Sequence, residues 1–190
     1  MSIANGYIDL PAIKERLGVA DSVDDATLEN VINGVCRWVD VHCRRRFYIS
    51  ANDETRYFTP INADYCRIDD LAAVTSVTVD GSGDRAFAIV WSATDYDLVA
   101  QSTEMPGLPF IGLRVTPNGR YSFYRRYTNS VKVVGKFGFP SDSPALEIVR
   151  EAVAIQVMRI FKRKDAPFGV AGAGAMGQVM NINEIDPDVK

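Results

Sequence analysis

Residues 143–172 constrain the fold more than any other stretch of this chain. Ser143 stands at an N-cap position, Pro144 at the first helical position and Glu147 in the first turn. Lys162-Arg163-Lys164 suits the negative end of a helix dipole, and Asp165-Ala166-Pro167 stops the run. The spacing predicts a helix of ~20 residues, roughly 30 Å long. Leu146, Val149, Val153, Val157, Ile160 and Phe161 fall on one apolar stripe. Ile148, Ala152 and Ile155 form a second, thinner stripe. One stripe is expected to pack on the chain's own core. The other needs a further surface, either within the same domain or on a neighbouring subunit.

Upstream, Asp9 is placed to cap a short helix from Leu10 to Leu17, with Gly18 closing it. A second helix is expected from Asp24 or Asp25 to about Cys43. Its apolar face holds Leu28, Val31, Ile32, Val35, Trp38, Val39 and Cys43. Gly34, at the edge of that face, either admits another backbone or is neutral.

After Arg44-Arg45-Arg46 the hydrophobic period changes. Short β-rich runs follow: residues 55–58, 74–79, 87–91, 96–99, 113–115, 122–126 and 131–134. Asp80-Gly81 marks a turn between two of them. The expected fold class is α+β. Two N-terminal helices (1–46) and one long helix (141–165) form a small bundle. An antiparallel β module (47–140) is inserted between them, and an extended arm (166–190) ends the chain. The arm mixes glycines with Phe168, Val170, Met176, Val179, Met180, Ile182 and Ile185, a composition suited to ordering on a partner or else to a frayed terminus.

The totals exclude several classes. A formal net charge of -3 does not favour phosphate backbones. No apolar run reaches the ~18 residues of a membrane span, and the N-terminus does not read as a secretory signal. Three cysteines, Cys36, Cys43 and Cys66, contain no CxxC pair, so neither a disulfide frame nor a zinc site is expected. The composition suits a soluble product of a reducing cytoplasm.

Residues able to carry chemistry are few. The single histidine, His42, has no Ser/Asp or Cys/Asp arrangement nearby in sequence and is read as structural. Cys36 and Cys43 are read as small core hydrophobes. Asp69-Asp70 and Asp95-Tyr96-Asp97 are read as acids in turns rather than metal or general-acid groups. The glycines from Gly169 to Gly177 approach dinucleotide spacing, but they follow a helix instead of a strand. No enzyme activity, metal or cofactor is therefore expected. Arg44-Arg45-Arg46, Arg125-Arg126 and Lys162-Arg163-Lys164 are basic clusters with a potential to touch nucleic acid, two of them at helix C-termini.

Several ordered segments resemble the tailed-bacteriophage head–tail connector family, also called adaptor or head-completion proteins. They are Tyr7-Ile8-Asp9-Leu10 with Gly18, Asp24 and Asp25; Trp38-Val39-Asp40 with the run from Cys43 to Phe47; Thr55-Arg56-Tyr57-Phe58; Leu71 with the run from Val74 to Gly81; and the run from Phe161 to Gly172. Residues 82–130 match least. The resemblance implies a non-enzymatic ring, commonly of about twelve copies, below the portal of a DNA-filled head. Such a ring extends the DNA channel and docks the tail or a stopper protein. It implies a location in the virion, after synthesis in the host bacterial cytoplasm. By position, Phe168, Val170, Met176, Val179, Met180, Ile182 and Ile185 are expected to engage the portal. Ile148, Ala152 and Ile155 are expected at the subunit interface. Alternatives are another neck component, such as a stopper or tail terminator, and a sequence-independent DNA-binding protein.

Overall fold

The computed structural model describes residues 2–163 and, beyond them, 170–171 and 180–181. Its order is α1 (Leu10–Leu17), α2 (Asp25–Cys43), β1 (Glu54–Phe58), β2 (Tyr65–Val79), β3 (Ile89–Trp91), β4 (Tyr96–Ala100), β5 (Phe110–Val115), β6 (Val131–Phe137), α3 (Pro144–Lys162), β7 (Val170–Ala171) and β8 (Met180–Asn181). The fold is α+β: three helices and a six-stranded antiparallel sheet.

The helix ends follow their sequence signals in part. The Asp9 carboxylate accepts the Ala12 N–H at 2.9 Å, and Gly18 closes α1 in the left-handed region at φ 69°. Ser143 occupies the N-cap of α3, but its hydroxyl makes no capping bond and is buried without a partner. Its carbonyl accepts the Leu146 N–H instead, at 3.0 Å.

The helical layer is one core. Ile13 of α1, Leu28, Ile32, Val35, Cys36 and Val39 of α2, and Val149, Val153, Ala154, Val157 and Phe161 of α3 pack with Phe47 and Phe139. Tyr7 pins the N-terminal segment to this core. Its hydroxyl donates to the Asp40 carboxylate and accepts the Phe47 N–H at 3.1 Å, while its carbonyl accepts from Arg150 Nε at 3.2 Å. Burial, reinforced by the Asp40 bond, pushes the Tyr7 phenol well above its ordinary pKa. Leu146 and Arg150, in the opening turns of α3, thus lie beside Tyr7 and Phe47 at the C-terminal end of α2. The two long helices run antiparallel.

The sheet runs β1-β6-β2-β5-β4, with β3 paired to β2. β2 is its spine. The first half of β2 pairs with β5 and the second half with β6 and β3, with register shifts near Leu71 and Val74 that bend it. A second core forms on one face: Cys66, Ile68, Leu71, Val77, Val79, Trp91, Leu113, Val131, Val133 and Phe137.

The two cores meet along a seam. The chain leaves the helices at Ser50 and returns at Phe137. There the Ser50 N–H donates to the Phe137 carbonyl at 2.8 Å, and the Phe137 N–H donates to Ser50 Oγ at 2.9 Å. Gly138 donates to the Asp70 carbonyl at 2.8 Å. Arg45 binds the Asp70 carboxylate through two nitrogens, at 2.9 and 2.5 Å, and lies over the Phe139 ring.

Several expectations are corrected here. The region 65–73 is strand, so Asp69 and Asp70 sit on β2 and not in a turn. Of Asp95-Tyr96-Asp97, only Asp95 precedes β4; Tyr96 and Asp97 lie within it. Residues 122–126 form no strand. Phe123 is buried there, stacked on Trp91 at 4.6 Å, and its N–H donates to the Ala63 carbonyl at 2.8 Å. Aromatic packing, not a sheet ladder, holds that segment.

Candidate functional site

The surface that α3 turns away from its own core is the first candidate. The buried residues Val149, Val153, Val157 and Phe161 follow an i, i+4 series. Each step advances about 40° around the helix, so the buried stripe drifts. The drift explains why Ala154 is buried while Ile160, placed on the core stripe by spacing alone, is 39% exposed. On the opposite side, Ile148 is 71% and Ile155 46% exposed, and Ala152 between them is exposed as well. These three side chains share one outward face and touch no hydrophobic core of the described residues.

A second exposed apolar strip lies on α2. Trp38 is 45% and Val41 76% exposed, and the space a β-carbon would enter at Gly34 is open. Trp38 was expected in the core and instead stacks on His42, with ring centroids 5.2 Å apart. Cys43 was expected there too, but it is exposed where α2 runs out at its left-handed cap, Arg44. Cys36 and Cys66 are buried, and desolvation raises both thiols, Cys66 to about 12. Cys43 is the thiol open to reagents.

The acids singled out by sequence hold the chain together. The Asp95 carboxylate accepts the Ser92 N–H at 2.8 Å and the Arg120 N–H at 3.2 Å. Asp80 accepts from the N–H groups of Ser82, Gly83 and Arg85, and these bonds outweigh burial and lower its pKa. Asp69 pairs with Arg56, and Glu54 with both Arg46 and Arg56. Burial alone would raise the Glu54 pKa, but those guanidinium groups bring it down. The His42 ring faces Trp38. Among the described residues no group of His, Cys, Asp and Glu could hold a metal, and no helix is long and apolar enough to cross a membrane.

The basic clusters separate in space. Arg44, Arg45 and Arg46 line a cleft with Arg56, Arg67, Asp69 and Asp70. Arg125 and Arg126 lie in the irregular segment before β6. Lys162 ends α3 and Arg163 caps it, while Lys164 lies outside the described residues. Of the residues expected to engage a portal, Val170 and Met180 fall in the short antiparallel pair β7–β8. Phe168, Met176, Val179, Ile182 and Ile185 lie outside the described residues.

No family model and no curated protein matches this sequence. Among solved structures, the chain is similar to one in the neck of an empty GTA (gene transfer agent) particle computed with C6 symmetry. The TM-score is 0.53 at 14% identity, over 93% of this chain and 89% of that one. At that identity the likeness is one of fold, and it spans the helices and the sheet alike.

Proposed function

We propose that this chain is a structural component of the neck of a phage-like particle. Within the neck we assign it to the head–tail connector layer: a ring beneath the portal that extends the DNA channel and docks the tail or stopper. The observation that carries the reading is the fold likeness to a neck chain along nearly the whole length of both. The ordered sequence segments of the connector family support it independently.

The mechanism is assembly rather than catalysis. Ile148, Ala152 and Ile155 form an apolar face that a neighbouring copy would cover. Covering the part still exposed contributes about 1–2 kcal/mol at Ile148 and about 1 kcal/mol at Ile155, which is already half-buried. A head-to-tail contact repeated around a closed ring satisfies every copy. The arm, from Phe168 to Ile185, is assigned to the portal. The particle and not the membrane is the chain's place of action, and DNA is a passenger in the channel.

Native mass measurement of the purified chain, alone and mixed with its portal, tests this reading. Ring-sized assemblies are expected in the mixture, and replacing Ile148 and Ile155 together with aspartate is expected to reduce them to monomers. Truncation after Asp165 is expected to abolish binding to portal-bearing heads. A chain that stays monomeric with portal present would refute the connector assignment. Electron microscopy of particles made without the chain separates connector from stopper or tail terminator, by which layer is missing.

A further inference from the structure

Arg44-Arg45-Arg46 closes α2 at a cleft of about 600 Å³ between the helical layer and β2. Five arginines line it: Arg44, Arg45, Arg46, Arg56 and Arg67. Three have carboxylate partners, with Asp70 on Arg45, Glu54 on Arg46, and Glu54 and Asp69 on Arg56. The side chains of Arg44 and Arg67 are exposed and have no acidic partner among the described residues. The cleft therefore keeps an excess of positive charge on a chain whose net charge is negative.

Arg44 is also costly where it stands. It caps α2 with φ 52°, in the left-handed region that glycine or asparagine occupies more easily. Its backbone N–H closes the helix, which any residue would do, so the guanidinium itself makes no contribution to the cap. Ile68 and Ile111 add apolar wall to the same cleft.

A run of phosphates fits this charge pattern poorly. Duplex binding needs cations in a row, and here Asp69 and Asp70 interrupt them. A short acidic peptide fits better, because its carboxylates can extend the arginine–carboxylate ladder already built into the wall. The chain carries such a segment beyond the described residues: Glu184, Ile185, Asp186, Pro187 and Asp188. Pro187 biases Asp186 toward an extended backbone. α3 is antiparallel to α2, so its 19 residues carry the chain about 28 Å away from the cleft before the arm begins. Residues 164–183 are long enough to recross that gap, since about 20 extended residues span roughly 65 Å. The choice of a second copy therefore rests on the head-to-tail ring proposed above, in which every copy has a neighbour within reach.

We infer that the cleft receives residues 184–188 of a second copy, with their carboxylates on the guanidinium groups of Arg44 and Arg67. The contact is between copies of this chain and does not depend on the portal. Of the arm residues assigned above to the portal, Ile185 alone falls within it.

Cys43 lines the cleft and is the exposed thiol, which provides a direct assay. A full-length donor carries Cys43→Ser with Val189→Cys, and the unaltered chain is the acceptor. Mixed under mild oxidation, the two are expected to form a donor–acceptor disulfide. The cross-link is expected to disappear in about 1 M salt, where the Debye length is about 3 Å. It is expected to be lost when the acceptor carries Arg44→Glu and Arg67→Glu, with unchanged tryptophan emission showing that this acceptor is folded. It is expected to return when the donor also carries Glu184→Lys, Asp186→Lys and Asp188→Lys. A cross-link indifferent to both charge reversals would overturn the proposal. So would a disulfide that forms only within a chain bearing both thiols. Absence of the cross-link, with duplex DNA binding that Arg44→Glu and Arg67→Glu abolish, would transfer the cleft to nucleic acid. In all these arms the portal is absent, so failure here and failure of the neck reading are separate results.

Discussion

At Gly138 the backbone adopts φ 118°, and the Tyr48 carbonyl oxygen lies 2.0 Å from where a β-carbon would stand. Both conditions require glycine, since an added methyl group has neither torsional freedom nor room. The clash is with backbone, which cannot swing aside. Gly138→Ala is therefore expected to cost about 3 kcal/mol or more, read as a lower urea midpoint at unchanged m-value. Equal stability of the variant would show that the seam between helices and sheet tolerates displacement. Tyr7 works at the same scale by different means: its buried phenol ties the N-terminal segment to α2 and to the segment after α2, and its backbone carbonyl ties it to Arg150 of α3. The sequence marks both residues only by type. Neither a glycine before Phe139 nor a tyrosine before Ile8 announces the partner it will meet across the chain.

Among the elements, α3 shows the contrast between inward and outward faces most directly. Val153→Ala removes buried methyl groups from the helical core and is expected to destabilise by about 2 kcal/mol. Ile148→Ala changes an exposed residue and is expected to alter monomer stability by less than about 0.5 kcal/mol, while weakening self-association. Paired denaturation and sedimentation measurements on the two variants check both outcomes. If Ile148→Ala destabilised the monomer as much as Val153→Ala, the outward stripe would be part of the chain's own core. The two long helices were legible because a 3.6-residue period survives in Leu28, Ile32, Val35 and Val39, and in Val149, Val153 and Val157. β2 was only half legible. Its second half alternates as VTSVTV, but its first half carries Arg67, Asp69 and Asp70, and the two aspartates are matched by arginines outside the strand, Asp70 by Arg45 and Asp69 by Arg56. Local patterning cannot show Arg45 waiting for Asp70. Cys43 and Trp38 were misread for a related reason, since a helical wheel takes no account of where the neighbouring layer stops. The exposed stripe of α3 was visible as a pattern, whereas the cleft, built from six separated places in the chain, was not.

For the molecule as a whole, each layer carries one tryptophan reporter. Trp91 is buried in the sheet core, and Trp38 stands on the outer side of the helical layer. The seam joining them includes the two-nitrogen Arg45–Asp70 interaction, with a partly buried charge on each side. Hydrogen bonds of this charged kind contribute about 1.5–3 kcal/mol. Urea unfolding followed in Trp38→Phe and Trp91→Phe variants is expected to give coincident midpoints. Adding Asp70→Ala is expected to separate them, and coincidence that persisted would mean that the seam's backbone bonds suffice to couple the halves. The paired bonds between Ser50 and Phe137 have a consequence of their own. They bring the outgoing and returning strands of a long excursion to the same threshold, shoulder to shoulder. A body hung from one doorway can grow, shrink or be exchanged while the room behind it keeps its walls.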